Sequence, residues 1–158
     1  MTPRDAALEA LLQMERRGAW SDGSLKRITA QAGLDGRDAA LCTRLTYGVV
    51  QNRTLLDHYI DSWCSQRAVR LEPVVAGVLR LGIYQILFMD KVPDRAAVHE
   101  TVELVKRHGK SRAAGIVNAV LRKCAASKNA LPPLPYKGAA AYSRAYSKQL
   151  GKDFYLDY

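Results

Sequence analysis

No aspartate or glutamate interrupts the stretch from Leu104 to Lys128, and that absence is one of several that bound what this chain can be. Cysteine is scarce as well. Cys42, Cys64 and Cys124 stand singly, in no C-x-x-C pair and at no Cys/His ligand spacing, which excludes a disulfide scaffold or a zinc site and leaves reduced thiols in a cytoplasmic protein. His58, His99 and His108 form no H-x-x-x-H pair and no triad spacing, so no metal and no acid–base catalyst is expected from them. Apolar runs are short: none approaches a membrane span, and none follows a basic amino-terminal flank, so neither a membrane protein nor a signal peptide is expected. No window alternates apolar and polar residues as a half-buried strand requires. What remains is an all-α reading.

The 158 residues make one ordinary domain, large enough to bury a core without staples. Helix punctuation is abundant. Thr2-Pro3-Arg4-Asp5 offers an N-cap, a proline at the first helical position and an acid at the third, opening a helix that runs to Arg17 and stops at Gly18. A short second helix, from Leu25 to Ala32, ends at Gly33. Asp35 then caps a third through AALCTRLTYGVVQN, and a fourth, RTLLDHYIDSW, follows a kink near Asn52. Pro73 opens a fifth helix that is apolar nearly all round, so other helices must surround it; Gly77 and Gly82 inside it imply close helix approach. AAVHETVELVKRHG is the sixth, ending at Gly109, and RAAGIVNAVLRKC the seventh. On the seventh helix Ile116, Val117, Val120 and Leu121 are expected to be buried and Arg112, Arg122 and Lys123 to face solvent. After Ser127 the composition changes. Residues 1–128 form the expected domain; 129–158, with three prolines and five of the eight tyrosines, read as a linker and tail.

Twenty-four Lys and Arg against fifteen Asp and Glu give a net charge of +9, the balance of a protein that meets a polyanion. The densest cations are Lys106, Arg107, Lys110, Arg112, Arg122, Lys123 and Lys128, with no acid among them. Such a surface would hold phosphates by charge-assisted hydrogen bonds that weaken steeply with salt. The same residues would also serve as the solvated face of a basic protein. A looser set around the first two helices comprises Arg4, Arg16, Arg17, Lys26, Arg27 and Arg37, interrupted by Glu9, Glu15, Asp22 and Asp35; of these Arg16, Arg17, Lys26 and Arg27 are the candidates.

Tyr59, Tyr84 and Phe88 have apolar neighbours at helical spacing and belong to the core, whereas Trp20, just past Gly18, could equally stack on a base. Glu15 falls between Leu8, Leu11 and Leu12 on the helical wheel. It calls for a partner, such as an arginine from a neighbouring helix, or for a first helix that ends early.

Three segments carry a resemblance: ALCTRLTYGVVQNRTLLDHYI, LRLGIYQILFMDKVPDRAAVHETVELVKRHG and RAAGIVNAVLRK. In order and spacing, from residue 3 to about 125, they resemble the NusB domain family, and within it the amino-terminal domain of the bacterial ribosomal RNA methyltransferases called Sun or RsmB. The Gly18-Ala19-Trp20 segment, the Tyr47–Val50 run before Asn52-Arg53 and Ala113-Ala114-Gly115 are similar to the methyltransferase version. Arg4 stands alone where free-standing NusB begins with several arginines.

The resemblance implies a compact bundle of about seven helices in two packed subbundles. It also implies a non-catalytic RNA-binding domain that holds ribosomal RNA. The candidate contacts are Lys106, Arg107, Lys110, Arg112, Arg122, Lys123, Arg16, Arg17, Lys26 and Arg27. That family places its chemistry in a following domain, with a glycine-rich loop for S-adenosylmethionine and cysteines next to proline. Here Cys42, Cys64 and Cys124 precede Thr43, Ser65 and Ala125, so no catalytic residue, metal or cofactor is expected in this chain. The alternative is a free-standing transcription-antitermination module that pairs with a ribosomal protein. A homodimer stays open.

Overall fold

A computed structural model describes residues 1–17 and 22–134. Among them are seven α-helices and no strand: α1 (Pro3–Arg17), α2 (Asp22–Gln31), α3 (Gly36–Gln51), α4 (Arg53–Trp63), α5 (Pro73–Phe88), α6 (Asp94–Arg107) and α7 (Ala114–Ala126). Single 3-10 turns, Ala68–Arg70 and Ser111–Ala113, precede α5 and α7 and were not foreseen from the sequence. None of these helices is long and apolar enough to cross a membrane. Trp20 and the tyrosine-rich segment 136–158 lie outside the described residues.

Chain punctuation sets the ends. The Thr2 hydroxyl accepts from the Asp5 N–H at 3.1 Å, and the Asp5 carboxylate accepts from the Thr2 N–H at 2.8 Å, a reciprocal cap on two otherwise unsatisfied donors. Asn52 separates α3 from α4, its side-chain amide donating to the Gly48 carbonyl at 2.8 Å. Gly109 ends α6 with φ +78, backbone that a side chain would strain. Asp35 occupies the N-cap of α3 as expected, but its side chain makes no capping hydrogen bond.

α5 is the axle. Every residue from Val75 to Met89 is buried, including Arg80 and Gln85, because α1, α3, α4, α6 and α7 all pack on it. α1 to α3 form one group of helices, and α5, α6 and α7 pack mutually as another with α4 beside α5 and α7. Glycine lets helices approach closely: a methyl at Gly77 would lie 2.9 Å from Leu8 of α1, and one at Gly82 would lie 2.7 Å from Leu121 of α7. At Gly48 a methyl would fall on the ring of Tyr84, which stacks on Phe88 with centroids 5.0 Å apart. Tyr59 is fully buried too.

The stripe that α7 buries is Val117, Val120, Leu121 and Cys124. Ile116, expected inside, is 40% exposed. Packing centres on the i, i+3, i+4, i+7 row that starts at Val117, which turns Ile116 out by about 100°. Beyond α7 the chain stays on the bundle, with Leu131 buried and Leu134 packed against the core.

Candidate nucleic-acid interface

The stretch from Leu104 to Lys128 that holds the seven cations contains no acid, but Glu103 just before it and acids brought in by the fold pair with four of them. Arg107 Nε donates to Asp5 Oδ1 at 3.1 Å, Lys110 meets Glu72 at 2.6 Å, Lys128 meets Asp94 at 2.6 Å and Lys106 meets Glu103 at 3.5 Å. Lys123 donates to the Trp63 carbonyl at 3.3 Å. Arg112 and Arg122 are exposed, and no described residue pairs with either. The run is therefore split among four acids and the Trp63 carbonyl rather than laid out as one stripe.

Arg107 is bound most deeply. It shares Asp5 with His108, whose Nε2 lies 3.0 Å from the same carboxylate oxygen, and Asp5 also accepts from the Thr2 hydroxyl at 2.7 Å. Burial alone would push the Asp5 carboxyl up, but the hydrogen bonds from Thr2, His108 and Arg107 outweigh it and hold its pKa at about 2. Arg107 and His108 thus fasten the end of α6 to the start of α1. His108 occupies the C-cap of α6, and Asp5 is its side-chain partner.

Of the second set, Arg16 pairs with Glu9 at 3.4 Å and Arg27 donates to the Ser24 hydroxyl at 3.3 Å; Arg17 and Lys26 are exposed and have no partner among the described residues. Arg16 and Lys110, from the two separate sets, line one groove together with Glu72 and Pro73. Lys106 and Arg122 line another between α6 and α7, with Arg95 and His99. Arg95 lies before the acid-free stretch that begins at Leu104 and so is not among the sequence candidates, although the spacing Arg95, His99, Lys106 places it on the same face of α6.

Glu15 finds the arginine its position demanded. Arg53 is salt-bridged to it and Arg80 Nη1 lies 3.6 Å away, while Arg80 also forks onto Asp57 at 2.6 and 3.3 Å. Burial pushes the thiols of Cys42 and Cys124 up, away from the thiolate a nucleophile needs, and no cluster of metal ligands exists among the described residues.

A family model described as the NusB family matches residues 1–126. The chain belongs to the NusB family. This NusB-family domain is 40% identical over 119 residues to a Bacillus subtilis protein named "Probable ribosomal RNA small subunit methyltransferase B", covering 75% of the chain but only 26% of that relative. It is 33% identical over 119 residues to the transcription antitermination protein NusB of Dehalococcoides mccartyi, covering 75% of the chain and 83% of the relative. A solved NusB chain, from a structure of the antitermination factors NusB and NusE in complex with dsRNA, superposes with a TM-score of 0.70 at 26% identity, covering 79% of this chain and 94% of that one. The all-α architecture expected from the sequence is the one observed, and it has the fold of the solved NusB chain.

Proposed function

We propose that this NusB-family domain is a non-catalytic RNA-binding module, the amino-terminal rRNA-recognising part of a ribosomal RNA (cytosine-5) methyltransferase. S-adenosylmethionine and the methyl transfer would belong to a domain outside this chain. The observation that carries the RNA reading is the set of exposed cations left without an acid partner among the described residues, Arg17, Lys26, Arg112 and Arg122, on a fold whose relative is solved with dsRNA. Docking is electrostatic: these side chains meet phosphates and set orientation, while the ion-paired Arg107 and Lys110 keep the surface in shape.

Replacing Arg17, Arg112 and Lys123 with glutamine tests this without touching the Asp5 contacts. RNA affinity should fall, and the slope of log affinity against log salt should flatten by about 0.7 to 0.9 per lost contact. Unchanged affinity and slope would refute the assignment of the surface.

A second reading, a transcription-antitermination module that pairs with a ribosomal protein, is favoured by the 83% coverage of the Dehalococcoides mccartyi relative and by the NusE partner in the solved complex. Capture of this chain by NusE that survives RNase treatment supports it. The reading frame after Tyr158 separates the two: a continuing methyltransferase domain supports the first, a stop the second.

A further inference from the structure

The outer faces of α6 and α7 bound an open groove of about 610 Å³, within the roughly 300–1,000 Å³ of clefts that hold small molecules. Its shape has a sequence cause. α7 contributes the small residues Ala125 and Ala126 where α6 contributes Val98 and Val102, so the floor is apolar and low, while longer polar side chains stand along both helices. These are Arg95 and His99 on α6, and Asn118 and Arg122 on α7.

Internal pairing decides the net charge of the groove. Its two acids are already engaged, Asp94 by Lys128 at 2.6 Å and Glu103 by Lys106 at 3.5 Å. Arg95 and Arg122, one from each helix, are both exposed and pair with no carboxylate among the described residues. An apolar floor between two uncommitted guanidinium groups suits a ligand that is anionic at its ends and flat and apolar between them.

We infer that this groove takes an unstacked nucleotide of single-stranded RNA. Arg95 and Arg122 fork onto the flanking phosphates, the base lies on Val98, Val102 and Ala125, and the Asn118 amide, both donor and acceptor, meets the base edge. A duplex keeps its bases stacked inward and would bring only phosphates, leaving the floor unused. The inference rests on the RNA-binding reading above and adds a site centred on Arg95, which the sequence candidates did not include.

The test is fluorescence anisotropy of the intact chain over a salt series, with three probes: a short single-stranded oligoribonucleotide of mixed sequence, a duplex of the same length and a polyglutamate peptide. The unmodified chain should prefer the single strand. Arg95→Gln with Arg122→Gln should weaken it by about tenfold per arginine and flatten the salt slope by about 1.4 in total. Arg37→Gln with Arg70→Gln removes equal charge from exposed positions outside the groove and should change affinity by less than about threefold. Equal losses in the two double variants would reduce the effect to diffuse charge and overturn the groove while leaving RNA binding intact. Preference for the duplex, or tighter binding of polyglutamate, would overturn it as well. Failure of the unmodified chain to bind either RNA at low salt would instead remove the RNA-binding reading itself.

Discussion

Asp5→Asn separates the helix-fastening role of the Asp5 cluster from its charge. The native carboxyl is held at about 2 against an ordinary 3.8. At about 1.36 kcal/mol per unit this sets a ceiling near 2.4 kcal/mol. Asp5 itself is 10% exposed, but its partner Arg107 is 38% exposed, so solvent screens part of that interaction and about 1 to 2 kcal/mol is expected. The sign follows from the depressed pKa. Stabilisation is fully present above the unfolded value, near pH 4, and is lost as pH falls through the folded value, near pH 2. Asparagine keeps the shape and can still accept from the Thr2 N–H, but its NH2 then faces the Arg107 donor, so it is the pH dependence of the difference that reports the charge. Urea unfolding of both from pH 7 downward should show a gap of about 1 to 2 kcal/mol that closes between about pH 4 and pH 2. A variant as stable as the parent at pH 7, or a gap that persists undiminished below pH 2, would refute the reasoning.

Gly48→Ala should destabilise by about 2 kcal/mol or more, despite a helix-propensity gain of about 1 kcal/mol, because the methyl meets the buried ring of Tyr84; an unchanged thermal midpoint would contradict that packing. Arg80→Met should cost about 1 to 2 kcal/mol by leaving Asp57 with only its longer contact to Arg53 at 3.9 Å, whereas Glu15→Gln should cost less than about 1 kcal/mol, since Arg53 is half exposed and Arg80 keeps Asp57. Chemical denaturation ranks the two. If Glu15→Gln proved the costlier, the network would be anchored at Glu15 rather than Arg80. The flattened salt slopes expected of the Arg17, Arg112 and Lys123 variant and of the Arg95 and Arg122 variant complete the set.

Local features were legible in the chain because they depend on neighbours a few residues apart. The Thr2–Asp5 cap, the break at Asn52, Pro73 at the start of α5 and Gly109 at the end of α6 are each specified within one turn. The burial of α5 could be read from its lack of a polar side, and the need of Glu15 for an arginine from its place among leucines. Ile116 was misjudged because a wheel gives the direction of a stripe but not how far the neighbouring helices extend over its edge.

The candidate interface was legible only as a list of cations. Sequence by itself determined the helices, the apolar axle and a surplus of positive charge, all of which follow from residue type and short-range spacing. Which of those charges stay free was decided by tertiary structure, because Asp5 and Glu72, far away in the chain, come within salt-bridge distance of Arg107 and Lys110 only once α1 and α5 pack beside α6. Coulomb interaction depends on distance in space, so a run without acids in sequence says nothing of the acids that folding brings to it.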